Sequence, residues 1–268
     1  MGVFVHAAGD VPFVQKTLFR NLIAFFVALT MLLIKGRKDP SVIKIPRGSL
    51  KYLLLRSIFG SIGIFGNFYA LDRLNIADAA MLNKMSPFFS LLLSMFILRE
   101  KPTLASVLSI ALAFVGALFV IKPSMDFSHV IPALAGFAGG MGAGFAYACV
   151  RKCHTYDVEG YLIIAFFSAF SLLCALPYTI LFYYPMSSQQ FLFLLAAGLA
   201  AAGGQLGITG AYFNAPSSKI SIYEYTQIIF SALLGFFLFE QLPDALSLLG
   251  YTVIIGTAVF SFLRSRRS

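Results

Sequence analysis

Long apolar stretches alternate with short polar connectors along the whole chain. A helix that crosses the hydrocarbon layer of a bilayer, about 30 Å thick, needs about 20 mostly apolar residues. Nine runs of roughly that length can be read, at 13–34, 50–71, 77–98, 104–121, 130–150, 160–182, 190–212, 218–239 and 245–263. The pattern predicts an all-α, polytopic membrane protein, because no connector is long enough to form a soluble domain.

The composition agrees with this prediction. Hydrophobic residues make up 59% of the chain and charged residues 12%, whereas a soluble domain carries about 25% charged residues. The formal net charge of +9 does not indicate nucleic-acid binding, because the basic residues lie between the apolar runs and form no single basic face. Cys149, Cys153 and Cys174 lie in or beside apolar runs, without the paired spacing of a disulfide framework or a zinc site. We therefore expect neither a metal nor a cofactor.

The basic residues also predict the orientation. Alternate connectors collect most of them: Lys35, Arg37, Lys38, Lys44, Arg47, Lys51, Arg99, Lys101, Arg151, Lys152, Lys219, Arg264, Arg266 and Arg267. The opposite side receives only Lys16, Arg73 and Lys122. By the positive-inside rule the heavily basic side is cytoplasmic, so the C-terminus is expected in the cytoplasm. The absence of an N-x-[ST] sequon fits a bacterial inner membrane.

The chain repeats itself at an offset of 140 residues. The segment 87–100, PFFSLLLSMFILRE, lies over 227–240, QIIFSALLGFFLFE, and places Glu100 on Glu240. Two related halves, 1–122 and 130–264, are therefore predicted. Each half has an odd number of helices, so the second copy is expected upside down, as in the inverted repeats of secondary transporters.

The same offset leaves the first half one helix short. The helix at 130–150 should have a counterpart that begins about ten residues before Met1, so residues 1–9 would be only its outer end. We expect ten spans with the first one truncated, through a misplaced start or a shortened chain. A naturally shorter protein is the alternative.

Several segments resemble the EamA-domain proteins of the drug/metabolite transporter superfamily. They are LFRNL at 18–22, NFYALDRLNIADAAML at 67–82, KMSPFFSLLLSMFILREKPT at 84–103, FAYACVRK at 145–152 and YEYTQIIFSALLGFFLFEQLP at 223–243. The resemblance covers essentially the whole chain as two EamA-type halves of five helices each. It implies an inner-membrane permease with both termini cytoplasmic, which moves a small metabolite by alternating access.

Secondary transport is thus the expected function, with protons or exchange as the coupling mode. An amino acid, a nucleoside-like compound or another small organic solute is the expected substrate. The lipid bilayer is the other expected partner, and protons and a second copy of the chain are further candidates. A channel or an assembly partner is the alternative. An enzyme is disfavoured, because His6, His129 and His154 lie at predicted span ends or in connectors.

Ionisable residues inside spans are costly and are therefore candidates for function. Lys84 and Glu224 fall on each other under the 140-residue offset. We expect both to face a central cavity, where they pair or bind a charged solute, and burial would suit Glu224 to proton exchange. The alternative is that Lys84 extends outward to the interface and Glu224 caps a helix. Arg20 is a further candidate, either as a site for an anionic group or as a structural partner of a carbonyl or of Glu224.

Uncharged polar residues complete the predicted binding site. Asn83 begins a polar stripe with Ser86, Ser90 and Ser94, next to Pro87, and Gln227 follows Glu224 on the mirrored helix. Such stripes should face inward, although helix packing alone also explains the serines. Weaker candidates for lining the path are Asn67, Tyr69, Tyr147, Gln205 and Tyr223. The glycine-rich runs at 60–66, 136–144 and 203–210 are expected to serve close helix packing.

The Glu224→Gln variant tests the role of the carboxylate. Glutamine keeps the shape and hydrogen-bonding capacity of the side chain, so we expect the variant to fold. Because it cannot exchange a proton, transport or its pH dependence should be impaired, which uptake measured across pH would show. Uptake identical to that of the wild type at every pH would remove Glu224 from the mechanism.

Overall fold

The computed structural model describes residues 1–97, 104–121, 127–215, 226–240 and 242–265. Within these ranges all regular elements are helices, as the sequence predicts. They are α1 Gly2–Ala7, α2 Phe13–Lys38, a 3₁₀ helix Pro40–Ile43, α3 Leu50–Leu71, α4 Ile76–Asn83, α5 Ser86–Ile97, α6 Leu104–Ile121, α7 Phe127–His154, α8 Gly160–Leu181, α9 Ser188–Asn214, α10 Thr226–Phe239 and α11 Ala245–Ser265. The all-α fold class is confirmed.

Five of these helices are long and apolar enough to cross a membrane: α2, α3, α7 from Val130, α8 and α9. Their mean hydropathies range from 1.3 to 2.0. The predicted run 218–239 lies partly outside the described residues, and α10 covers its second part. Most helix ends fall within a few residues of the predicted ones, because the apolar runs end where charged and turn-forming residues begin.

The predicted run 77–98 is not one continuous helix. It consists of α4 and α5, which are separated at Lys84 and Met85. Pro87 has no backbone N–H, and its ring conflicts with the carbonyl group of Asn83 four residues earlier. Around the break the chain tightens, so that the Met85 N–H donates to the Leu82 carbonyl oxygen at 3.2 Å. The apolar pattern of 77–98 predicted one span and did not predict this two-residue break.

Glycines on one side of α7 bring its backbone against the backbone of α3. A Cβ atom built on Gly139 would lie 2.9 Å from the Asn67 nitrogen. One built on Gly142 would lie 2.6 Å from the Phe59 carbonyl oxygen. On α3, a Cβ atom on Gly66 would overlap the Ala135 carbonyl oxygen. These two helices can therefore touch only because small residues occupy the contact.

A second glycine ridge of α7 packs against the broken helix. A Cβ atom on Gly140 would overlap the Leu82 carbonyl oxygen, and one on Gly144 would overlap the Ser86 carbonyl oxygen. Gly140 and Gly144 are one helical turn apart and therefore lie on one face. Helix α7 is thus clamped between α3 and the α4–α5 break, and its glycine-rich run has the packing role that the sequence suggested.

Helix contacts correspond between the two halves. Under the 140-residue offset, α1 corresponds to α7, α2 to α8 and α3 to α9. The contact between α3 and α7 therefore corresponds to the contact between α9 and α1. In the same way, the contact between α2 and α9 corresponds to the contact between α8 and α3. Helices α2 and α8, and likewise α6 and α11, pack on their own counterparts. This pairing is what a two-fold relation between the halves requires. The division of the chain at 122–130 and the inverted orientation of the second half both stay predictions.

The Gly140→Ala variant tests the contact between α7 and the helix break. The new methyl group would overlap the Leu82 carbonyl oxygen, which belongs to the backbone and cannot rotate away. We expect a loss of stability of about 1–3 kcal/mol, the usual range for overpacking, measured as a lower melting temperature in detergent.

Gly256→Ala is the matched control, since it is also within a helix but has no described atom within 4 Å of the added Cβ position. Its expected change is a gain of up to about 1 kcal/mol from helix propensity. Equal melting temperatures for the two variants would contradict the close contact between α7 and the helix break.

Candidate functional site

A cavity with a volume of about 610 Å³ lies between the two halves of the chain. Residues from α1, α2, α3 and α4 of the first half and from α7, α8, α9 and α10 of the second half line it. Cavities that hold small molecules usually have volumes of about 300–1,000 Å³. The space is therefore sufficient for a metabolite, and both halves contribute to its wall.

Most of the predicted site residues lie on this wall. They are Arg20, Asn67, Asn83, Lys84, Tyr147, Gln205 and Gln227. Tyr223 and Glu224 lie outside the described residues, so the proposed Lys84–Glu224 relation stays a prediction. The structure brings the seven residues together from six segments of the chain; whether they bind a solute remains to be tested.

Tyr69 lies elsewhere. Its ring is 5.4 Å from that of Phe13, and the Arg73 guanidinium carbon lies 4.0 Å from its centroid. Two residues along a helix correspond to a rotation of about 200°, so Tyr69 cannot share a face with Asn67. Asn67 thus lines this cavity and Tyr69 does not, and a role of Tyr69 in solute binding stays a prediction.

Arg20 is held in a network of neutral amides. Its Nη1 donates to Asn21 Oδ1 at 2.6 Å, and its Nη2 donates to Gln205 Oε1 at 2.8 Å. Gln205 in turn donates to Thr209 Oγ1 at 3.0 Å. These bonds connect α2 to α9 and orient the guanidinium without neutralising its charge.

Arg56 is a cavity residue that the sequence analysis missed. It is 2% exposed, lines the cavity and places its guanidinium carbon 3.9 Å from the ring centroid of Phe167. A detectable signal was present, because Arg56 lies seven positions into the apolar run 50–71 and an intramembrane cation is a candidate by default. Many other basic residues lie near this end of the span, so Arg56 was not distinguished from them.

Lys84 lies at the α4–α5 break, on the cavity wall, and is 6% exposed. This position contradicts the alternative in which its side chain extends outward to the interface. The break places a cation and irregular backbone beside the same space. In transporters, interrupted helices of this kind commonly contribute to the solute site.

The ring of Tyr147, which is backed by a second tyrosine ring, forms another part of the wall. The rings of Tyr147 on α7 and Tyr212 on α9 stack with centroids 4.5 Å apart and an angle of 16° between their planes. Tyr147 lies one turn beyond Ala143, which also lines the cavity. Stacked rings offer a rigid, partly apolar surface for the body of a solute.

Polar contacts also join helix ends beyond the cavity. Lys16, near the start of α2, donates to Asp72 and is only 2% exposed. Burial raises the pKa of the Asp72 carboxyl, and the bond from Lys16 opposes this rise. Next to it, Gln15 donates to the Tyr184 carbonyl oxygen at 2.9 Å and accepts from the Tyr184 N–H at 3.0 Å. These contacts connect the start of α2 to the ends of α3 and α8.

Comparisons with known proteins agree with this architecture. Residues 2–122 match the EamA-like transporter family. The chain is similar to the pseudopaline exporter CntI of Pseudomonas aeruginosa, at 27% identity over 94% of this chain and 87% of that protein. It is also similar to human solute carrier family 35 member G1, at 22% identity over 98% of this chain and 74% of that protein. A solved crystal structure with 19% identity matches 99% of this chain and 95% of its own, with a TM-score of 0.68, which supports the fold.

Cysteine accessibility tests which side of α3 faces the cavity. In a background with the three native cysteines replaced by alanine, Asn67→Cys should react with a charged, membrane-impermeant methanethiosulfonate reagent. Ile62→Cys, five residues earlier on the same helix, is the comparison, since Ile62 is exposed and has mostly apolar neighbours. Because the thiolate that reacts forms only in a polar environment, we expect a rate at least about tenfold higher at position 67. Equal rates would mean that no water-filled cavity reaches Asn67.

Proposed function

We propose that this chain, whose residues 2–122 belong to the EamA-like transporter family, is a multi-pass secondary transporter that moves a small organic solute by alternating access. The observation that carries the proposal is the cavity of about 610 Å³ between the halves, with buried polar and charged side chains on its wall. Such side chains are expensive inside a membrane and are usually retained for a solute or an ion.

The helix break supports the same function. Lys84 and Asn83 line the cavity next to the interruption between α4 and α5. A continuous helix would present only side chains to the solute, whereas an interrupted helix also presents backbone groups and bends more easily. The similarity to an exporter of pseudopaline and to a solute carrier is in keeping with a small organic solute.

The contacts at the start of α2 suggest how one end of the cavity closes. Under the proposed orientation, with the C-terminus in the cytoplasm of a cell with an inner membrane, Lys16, Asp72 and Gln15 lie on the outer side. An alternating-access cycle that opens the cavity there must separate these partners, which join α2 to the ends of α3 and α8. Polar contacts suit this role because water replaces them at modest cost when they open.

Glu224 is the candidate for coupling to protons, because a carboxylate inside a predicted span is costly and is usually retained for function. Exchange of one solute for another is the mode that does not require this group.

Counterflow in proteoliposomes tests the proposed function. The probe is the labelled solute that most raises the melting temperature of the purified protein, chosen from amino acids, nucleosides, cofactors and organic ions. We expect saturable uptake that is accelerated by the same unlabelled solute inside the vesicles. Lys84→Gln should reduce this uptake at least about tenfold, because it removes a cation from the cavity wall.

Arg37→Gln is the matched control, since it removes one positive charge from an exposed position at the end of α2. Its uptake should equal that of the wild type. Uptake that neither saturates nor responds to internal solute would indicate a channel, and no uptake by folded protein would indicate an assembly role.

A further inference from the structure

Arg56 carries a buried positive charge that no ion pair within the described residues neutralises. Its side chain is 2% exposed, and its Nε has no hydrogen-bond partner among the described residues. The ion pairs found in the described part of the chain, Lys16–Asp72 and Lys35–Glu159, do not include it. A buried and uncompensated cation is costly, so its presence on a cavity wall points to a ligand.

The surroundings hold the guanidinium in position. Its guanidinium carbon lies 3.9 Å from the centroid of the Phe167 ring, a cation–π contact that restrains the group but is not a conventional hydrogen bond to its N–H donors. Gly60, one turn further along α3, makes room for it, because a Cβ atom there would overlap Arg56 Nη1 and lie 2.7 Å from Phe167 Cε2. The group is thus fixed before any solute arrives, which lowers the entropic cost of binding.

A second guanidinium adds to the positive potential. The Arg20 guanidinium carbon lies 5.7 Å from the centroid of the same Phe167 ring, so two cations share one aromatic side chain. Among the described residues, Arg20 donates to the neutral side-chain amide oxygens of Asn21 and Gln205. Among the described residues that line the cavity there is no aspartate or glutamate. In a medium of low dielectric constant this arrangement attracts an anion strongly.

From this geometry we infer that the cavity binds an organic anion, whose oxyanion group is held by the N–H edge of Arg56 with Arg20 reinforcing the positive field. The inference rests on the proposed function and specifies its substrate class. A carboxylate, a phosphate or a sulfonate provides the two oxygens that a guanidinium fork binds in parallel. Tyr147, Asn67 and Gln205 also line the cavity and would contact the remainder of the solute.

Matched pairs of solutes separate charge from shape. Purified full-length protein in detergent is titrated with succinate and succinamide, with glutarate and glutaramide, with citrate and with inorganic phosphate, while its melting temperature is recorded. We expect the anions to stabilise the wild type and the neutral amides to do so at least about tenfold more weakly. Wild-type protein that is folded but is stabilised no better by any of these anions than by the amides overturns the inference.

Variants then assign the effect to Arg56. Arg56→Gln should weaken anion binding at least tenfold, and Arg56→Lys, which keeps the charge but loses the planar fork, should weaken it less. The exposed Arg37→Gln is the charge-matched control and should bind as the wild type does. If Arg56→Gln and Arg37→Gln retain the same anion affinity, Arg56 is a packing residue and the inference is wrong.

Gly60→Ala provides a test that leaves the charge in place. The new methyl group displaces the guanidinium from Phe167, so anion affinity should fall several-fold although both arginines remain. Gly160→Ala is the control, since no described atom lies within 4 Å of its added Cβ position. Normal anion affinity in folded Gly60→Ala protein would contradict the assigned position of the binding group.

Uptake into proteoliposomes distinguishes the two proposals. If wild-type protein transports neutral or cationic solutes and Arg56→Gln does so equally well, the anion site is wrong but the transport function stands. If wild-type protein moves no solute, yet anions stabilise it only when Arg56 is present, the anion site stands and the transport function is wrong. Anion uptake that requires Arg56 supports both.

Discussion

The close contact between the backbone of α7 and its neighbours is the constraint on which the rest of the structure depends. Glycines on one face of α7 allow its backbone to contact the backbone of α3. Glycines on another face allow the same close contact with the broken helix formed by α4 and α5. In a bilayer the association of helices relies on packing rather than on the hydrophobic effect, so the loss of a packing contact directly lowers the stability of the fold. Ala143, Ala146 and Tyr147 continue α7 into the cavity wall, which means that the clamp also determines where the solute space begins.

The helix break is stable because of this clamp. Residues around Lys84 lack some of the regular helical hydrogen bonds, and exposed backbone groups are not tolerated against lipid. Gly140 and Gly144 cover the break on one side, while the cavity lies on another. Irregular backbone at membrane depth is thus confined to positions where protein or a polar space meets it. The same arrangement places Asn83 and Lys84 beside the solute space without any additional element.

Much of the helical architecture could be predicted from the sequence, because the lengths of the apolar runs correspond directly to the lengths of the helices. The side chains were harder to predict. Asn67 and Tyr69 are both polar residues near one span end, and only the rotation of α3 separates them. Arg56 could have been recognised as an intramembrane charge, but its contact with Phe167 joins α3 to α8 and has no counterpart in sequence spacing. The burial of Lys16 likewise depends on Asp72, which is 56 residues away.

An anion site built on Arg56 and Arg20 would connect binding to the transport cycle. When the cavity is open, water can solvate the guanidinium edges and reduce the cost of their charge. Closing an empty cavity removes that water and leaves two cations on one ring without compensation. A bound oxyanion supplies the missing charge, so the closed state becomes accessible mainly when solute is present. Such a carrier changes sides readily when loaded and reluctantly when empty, which is the kinetic behaviour of an exchanger.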